Sequence, residues 1–170
     1  SSGLTIDEAR SWATVGVFSA LALALCYAET FIPIPVPIPG VKPGLANAVV
    51  LTSLVILDCR RACFVAAIKV LAIGFLFGSP IMIAYSAVGT LFATLAMSAL
   101  VKIPHLHMVP VAIVGAILHN VGQLMVANVM LQTTLVWMSA PIMLVAACAT
   151  GALTGLLARH LVSIARAEIG

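Results

Sequence analysis

The chain has 170 residues, of which 63% are hydrophobic and only 8% are charged, with a net charge of +3. A soluble domain has about 25% charged residues, so this composition excludes a soluble fold and predicts an integral membrane protein. The net charge is too small and too scattered to indicate a nucleic-acid-binding protein. Runs such as VGVFSALALALCYA do not alternate between polar and apolar residues, as the strands of a membrane barrel do, so spanning helices are favoured.

Six apolar segments fill nearly the whole chain. They are predicted at about 11–30, 44–57, 62–77, 81–101, 108–131 and 135–160. A spanning helix needs roughly 20 apolar residues, and the second segment is short for a full crossing, so it is either tilted or begins inside the protein. With short connections there is room for one domain, 1–170. The predicted fold is an all-α membrane protein with six transmembrane helices.

A proline-rich connector, residues 29–47, separates the first two segments. It contains five of the nine prolines, and each lacks an amide donor and interrupts any helix. Residues before proline favour extended geometry, so the connector is predicted to be stiff. Glu29 precedes it, and Lys42 and Asn47 close it. The prolines are Pro33, Pro35, Pro37, Pro39 and Pro43.

Small residues recur at four-residue spacing along the first segment, at Ala20, Ala24 and Ala28. Such a stripe allows a second helix to approach closely. The alternative is that alanine is simply common in spanning helices, and the sequence leaves both interpretations open.

The distribution of cations predicts the orientation. With the N-terminus in the cytoplasm, Lys42 is the one loop cation on the outer side, and the other loop cations lie inside. Cytoplasmic loops carry the excess of Lys and Arg, so both termini are predicted to be cytoplasmic and the connector to face outward. The inner cations are Arg10, Arg60, Arg61, Lys102, Arg159 and Arg166.

Lys69 lies within the third segment, eight residues past Arg61. At 1.5 Å per residue it is roughly 12 Å deep, and a charge at such depth usually has a function. One interpretation is a structural pair with a carboxylate, for which Glu29 is the candidate, or with helix-end carbonyls. The other is an anion-binding lysine in a cavity.

The fifth segment carries three polar residues, His119, Asn120 and Gln123, within about a 100° arc of one helix. Interhelical hydrogen bonding is one explanation, worth only about 0.6 kcal/mol per bond in lipid. Three adjacent polar groups exceed what packing needs, so a pocket wall is favoured. A single histidine is a poor metal site, and neither a metal nor another cofactor is predicted.

Two motifs carry a family resemblance. Glu29 followed by the proline-rich stretch with PGVKPGLAN (39–47), together with GAILHNVGQL (115–124), resembles the Gx transporter family, also known as heptaprenyl diphosphate synthase component I. That family is related to the substrate-binding S components of energy-coupling factor (ECF) importers. Members more often have an apolar residue at Pro43 and arginine at Lys69.

The resemblance implies an S-component-like fold with six helices, both termini cytoplasmic, and a ligand site covered by the first outer loop. It implies that Ala20 and Ala24 dock against a transmembrane coupling subunit, and that two cytoplasmic ATPases drive release. The chain has no G-x-x-x-x-G-K-[ST] loop, so it is not the ATPase itself. The host membrane is then the plasma membrane of a prokaryote.

The main hypothesis is therefore a non-enzymatic subunit that captures a small, anionic molecule from the outer side. The expected binding residues are Glu29, Lys42, Asn47, Lys69, His119, Asn120 and Gln123. The alternative is a membrane partner in prenyl diphosphate or quinone biosynthesis. Prenyl diphosphate synthases hold magnesium with aspartate-rich motifs, whereas this chain has two aspartates, Asp7 and Asp58, far apart.

Overall fold

The computed structural model describes residues 5–33, 35, 38 and 42–169. Across these residues it contains six α-helices, one short 3-10 helix and no strand. The connector was predicted to be stiff. Part of this prediction falls on Pro37, Pro39 and Gly40, which lie outside the described residues. The elements are α1 (Ile6–Glu29), α2 (Asn47–Ile56), α3 (Cys59–Phe77), α4 (Pro80–Leu100), α5 (Met108–Leu131), η1 (Thr134–Ser139) and α6 (Ala140–Ile169).

Local signals set several helix ends. Thr5 caps α1 with a reciprocal pair, in which Thr5 Oγ1 accepts from the Glu8 amide and Glu8 Oε2 accepts from the Thr5 amide. The Asp58 carboxylate accepts from the Arg61 amide at 2.8 Å and starts α3. Gly78 ends that helix in the left-handed conformation, with φ of 60°.

Four helical segments are long and apolar enough to cross a membrane: Ile6–Glu29, Pro80–Leu100, Met108–Leu131 and Thr134–Ile169. These four agree with the predicted spanning helices in length and apolar composition. The sixth was predicted to end near residue 160, but it continues to Ile169 and begins with η1. Helix α3 has 19 residues, but three cations interrupt its apolar character, at Arg60, Arg61 and Lys69.

Helix α2 does not cross by itself. Its 10 residues extend about 15 Å at 1.5 Å per residue, which is about half of a hydrocarbon core of 30 Å. Its first seven residues, 47–53, are all buried, so the helix begins inside the protein. Val50 and Leu51 pack in the largest apolar core with residues of α4, α5 and α6. Of the two explanations for the short second segment, the internal start is correct.

Glycines allow α4, α5 and α6 to pack closely. A Cβ at Gly151 would lie 2.6 Å from the Cα of Ile113, and one at Gly155 would lie 2.6 Å from the Cα of Val109. The two glycines are four residues apart on α6, as in small-residue interfaces of membrane helices. The backbone of α5 therefore lies directly against α6 at these points.

One end of the bundle holds both chain ends. Asp7, Arg10, Leu57 and Glu168 line one groove there, which brings the start of α1, the end of α2 and the end of α6 together. A second groove at this end joins the turn after α4 to the last turns of α6. The charged turns predicted on one side therefore share one end of the structure, and the connector lies at the other.

Candidate functional site

A small cavity with a polar wall lies between α1, α3, α4 and α5, beneath the end of the connector. Its volume is about 20 Å³. Space of this size holds roughly one water molecule, so the structure shows the cavity in a closed form. The wall consists of Cys26, Glu29, Lys42, Gly44, Lys69, Ile73, Met82, Tyr85, Ser86, His119 and Gln123.

Hydrogen bonds connect three helices at this cavity. Lys69 of α3 is 2% exposed and donates from Nζ to Asn47 Oδ1 of α2 at 2.6 Å. Asn47 Nδ2 lies 3.2 Å from Nδ1 of His119 on α5. Asn47, the first residue of α2, therefore holds the buried ammonium with one end of its amide and the imidazole with the other.

The direction of these bonds fixes the histidine tautomer. An ammonium has only donors, so the amide oxygen of Asn47 faces Lys69 and its NH₂ group faces His119. The Nδ1 atom of His119 then accepts a hydrogen bond, and the proton of the neutral ring is on Nε2. We assign this tautomer from the hydrogen-bond network.

Glu29 closes α1 and caps the buried start of α2. Its Oε1 accepts from the amide of Ala46 at 2.6 Å, and the side chain is buried. A carboxylate at a helix N-terminus is stabilised by the helix dipole, and here it also accepts from the amide that precedes the helix. In the described part of the chain the one salt bridge is between Arg61 and Asp58, so Glu29 and Lys69 share the cavity without pairing directly.

Lys42 brings a second cation to the cavity from the connector. Its Nζ lies 3.7 Å from the centroid of the Phe77 ring at the end of α3, which is a cation–π contact. Partial burial lowers the pKa of the Lys42 ammonium below its usual value, and the Glu29 carboxylate acts in the opposite direction. No described residue accepts a hydrogen bond from this ammonium.

Gln123 lies on α5, one turn beyond His119, and is 1% exposed. Its Oε1 receives no hydrogen bond from the part of the chain that the structure describes. A buried acceptor without a donor costs about 1–3 kcal/mol, so Gln123 offers an acceptor to a donor group that enters the cavity.

The structure brings five of the seven predicted binding residues to one cavity: Glu29, Lys42, Lys69, His119 and Gln123. Asn47 lies just behind the wall, where it holds two of them. Asn120 lies elsewhere, since its Nδ2 donates to the carbonyl of Met143 on α6 at 2.9 Å. The two ends of the connector were predicted to meet at one pocket with Lys69 and His119, and they do so in space.

Sequence reasoning missed the wall contributed by α4. Tyr85 and Ser86 line the cavity, as does Met82. Neither a charge nor a motif distinguishes these positions in an apolar segment. The one available signal was the isolated Tyr-Ser pair within the run.

The predicted docking residues lie on an open face of α1. Ala20 and Ala24 are both exposed, and a Cβ at Gly16, one turn earlier, would meet no atom within 4 Å. Among the helices, α1 lies closest to α2 and α3, and its buried side also packs against Leu161 and Ala165 of α6. The small-residue stripe therefore faces away from the rest of the bundle.

The described residues contain no group of three His, Cys, Asp or Glu side chains that is arranged to hold a metal ion. The polar groups of the cavity instead suit an organic ligand, because they combine two ammonium groups, a carboxylate, an imidazole and an amide.

Comparison with known proteins identifies a family. A family model described as heptaprenyl diphosphate synthase component I matches residues 18–161. This range includes both motifs that suggested the resemblance and every residue of the cavity wall. No curated protein matches the chain, and no solved structure matches it.

Proposed function

We infer that this chain, which belongs to the family described as heptaprenyl diphosphate synthase component I, is the substrate-binding membrane subunit of an ECF-type importer. In this proposal it captures a small water-soluble anion from the outer side of the plasma membrane of a prokaryote. The observation that carries it is the buried cavity, where Lys42 and Lys69 meet beneath the connector.

The cavity supports binding better than a purely structural role. A structural lysine inside a membrane normally pairs with another ionisable group or with backbone carbonyls, but Lys69 is held by the neutral side-chain amide of Asn47. Lys42 and Gln123 contribute further polar atoms without partners among the described residues. Such groups are costly to bury, and an anionic ligand offsets that cost.

The proposed topology has six membrane helices with both termini in the cytoplasm. The end of the bundle that holds both chain ends also holds most of the cations, as the positive-inside rule requires. The connector and the cavity then lie toward the outside. Here α2 completes its crossing together with the connector, which reaches into the protein and buries Ile38 against α4, α5 and η1.

The proposed partners are a transmembrane coupling subunit and two cytoplasmic ATPases. The exposed stripe with Ala20 and Ala24 provides a face on which another helix packs closely. Replacing both alanines by leucine is expected to abolish co-purification with the coupling subunit and to leave ligand binding unchanged. If the complex survives this double change, the docking face lies elsewhere.

Native mass spectrometry of the purified protein tests the capture function. The expected result is a co-purified water-soluble molecule that is lost from Lys69→Met and retained by Lys102→Met, a matched change at an exposed lysine in the turn after α4. Equal occupancy in the two variants would show that the cavity is not the binding site.

The family description favours a second candidate, a membrane partner in prenyl diphosphate or quinone biosynthesis. A groove of about 650 Å³ at the proposed cytoplasmic end joins apolar residues of α2, the turn after α4, α5 and α6 to His107, Arg159 and Arg166. Cationic side chains next to apolar ones match the two parts of a diphosphate with an isoprenoid tail. With only Asp7 and Asp58 as aspartates, the chain would assist such an enzyme and not catalyse the reaction itself. A co-purified isoprenoid or quinone would favour this candidate.

A further inference from the structure

The charges of the cavity wall indicate which charge on an anionic ligand the cavity accommodates. Two ammonium groups, Lys42 and Lys69, and one carboxylate, Glu29, line it. His119 is neutral, because its Nδ1 accepts from Asn47. With Lys42, Lys69 and Glu29 ionised, the wall carries one positive charge in excess, and an uncompensated charge in a water-poor site is strongly unfavourable.

Within the part of the chain that the structure describes, Glu29 forms no salt bridge with either lysine. Its carboxylate is engaged at the start of α2 through the Ala46 amide. The Lys69 ammonium has three donors and one acceptor among the described residues, Asn47 Oδ1. The remaining donor capacity of Lys69 therefore faces the cavity.

Gln123 indicates that the ligand also carries a hydrogen-bond donor. It is nine-tenths or more buried, it lines the cavity, and its Oε1 has no donor among the described residues. A water molecule in a cavity of this size can donate to such a group. A ligand that replaces the water must bring an N–H or O–H of its own, or affinity is lost.

We propose that the cavity binds a small organic monoanion, a carboxylic acid, whose carboxylate accepts from Lys69 and Lys42 and whose N–H or O–H group donates to Gln123. This assignment rests on the proposed capture function. It excludes phosphorylated ligands, because a phosphate monoester carries a charge of about −1.5 to −2 at pH 7, which exceeds the one charge that the wall compensates. The preferred ligand is therefore chemically distinct from a prenyl diphosphate.

A ligand screen sorted by charge tests the assignment. Thermal unfolding of the protein in detergent is measured in the presence of each member of a library of water-soluble metabolites. The compounds are grouped by their charge at pH 7 into cations, neutral molecules, monoanions and polyanions. The monoanion class is expected to contain the stabilising compounds. Lys42→Gln should weaken the best of them by about 10- to 150-fold, the value of a charge-assisted hydrogen bond, whereas Lys102→Gln should not.

Two further variants test the charge and the donor separately. Glu29→Gln retains an oxygen for the Ala46 amide but adds one excess positive charge, so polyanions should gain relative to monoanions. Gln123→Met should weaken monoanions with an N–H or O–H group by about two- to tenfold and should leave those without one unchanged. If Glu29→Gln fails to fold, Lys42→Gln still tests the charge, because it should shift preference toward neutral molecules.

The outcomes separate the two proposals. A stabilising compound from another charge class that depends on Lys69 would overturn the monoanion assignment and leave the capture function standing. Unchanged class preference in Lys42→Gln would also overturn it. Absence of any stabilising compound in all four classes would overturn the capture function, and the assignment with it.

Discussion

The Asn47 amide is predicted to be the main energetic link within the cavity wall. Replacing Asn47 by alanine removes the one described acceptor of a buried ammonium, Lys69 Nζ at 2.6 Å, and the donor to His119. Leaving a buried charge without its partner costs about 3–5 kcal/mol, and losing a neutral hydrogen bond costs about 0.5–1.5 kcal/mol. We expect Asn47→Ala to lower the free energy of unfolding by about 3–5 kcal/mol, with the ammonium as the dominant contribution.

A double-mutant cycle separates the two contributions. Lys69→Met removes the charge and keeps an unbranched chain, so in that background Asn47→Ala should cost only about 1–2 kcal/mol for the neutral bond and the lost contacts. The expected coupling is therefore about 2–3 kcal/mol, measured by reversible unfolding in mixed micelles. Asn128→Ala is the matched control, since Asn128 accepts from Trp137 at an exposed site and should show no coupling to Lys69→Met. Additivity of Asn47→Ala and Lys69→Met within about 0.5 kcal/mol would refute the reasoning.

Two other predictions concern helix packing and pH. Gly151→Ala should destabilise the protein by about 1–3 kcal/mol, because the added Cβ meets the α5 backbone at 2.6 Å. The control Gly16→Ala, where nothing lies within 4 Å of the added Cβ, should be neutral or stabilising by up to about 1 kcal/mol. Equal effects of the two variants in thermal unfolding would contradict the close packing of α5 and α6. Anion binding should weaken as pH rises through the pKa of Lys42, because the neutral amine no longer attracts the ligand. Burial lowers this pKa, so the loss of binding should occur at a lower pH than for an ordinary lysine. Lys42→Arg, which stays charged, should remove that part of the pH dependence, and an unchanged profile in titrations of bound ligand would exclude Lys42 as its source.

Much of the fold was predictable because local signals mark the helix ends. Prolines, glycines and charged turns divide the chain, and α5 was predicted at 108–131, where the structure has it. The extent of α2 was not predictable in this way. An apolar run has the same pattern whether it faces lipid or protein, and only the structure shows that residues 47–53 are enclosed by other helices.

The same distinction applies to the candidate site. Charged and polar residues within apolar segments are unusual, so Glu29, Lys69 and His119 could be selected from the sequence, and they lie at one cavity. Asn120 fitted the same pattern, but its partner is the backbone carbonyl of Met143. Any residue type provides such a carbonyl, so sequence alone does not separate a packing bond from a pocket wall.

The closed cavity requires that part of its wall moves before a ligand binds. About 20 Å³ accommodates one water molecule, which is far less than any organic acid needs. The wall residues of α1, α3, α4 and α5 are held by helical hydrogen bonds. Lys42 and Gly44 are the described wall residues that lie outside helices, so we expect the end of the connector to be the segment that moves.

A cross-link tests this movement. Lys42 lies over the ring of Phe77, so cysteines at these two positions, joined by a short bifunctional thiol reagent, should hold the connector against α3. The background replaces the exposed cysteines by serine, at Cys59, Cys63 and Cys148. Cross-linking before ligand addition should abolish binding, and cross-linking afterwards should slow ligand release, because the same segment blocks both directions. The single-cysteine variants treated with the reagent are the controls. Because replacing Lys42 itself weakens binding, each affinity is compared with that of the same double-cysteine variant before cross-linking. Equal binding before and after cross-linking would show that the ligand enters between the helices and that the connector is not the gate.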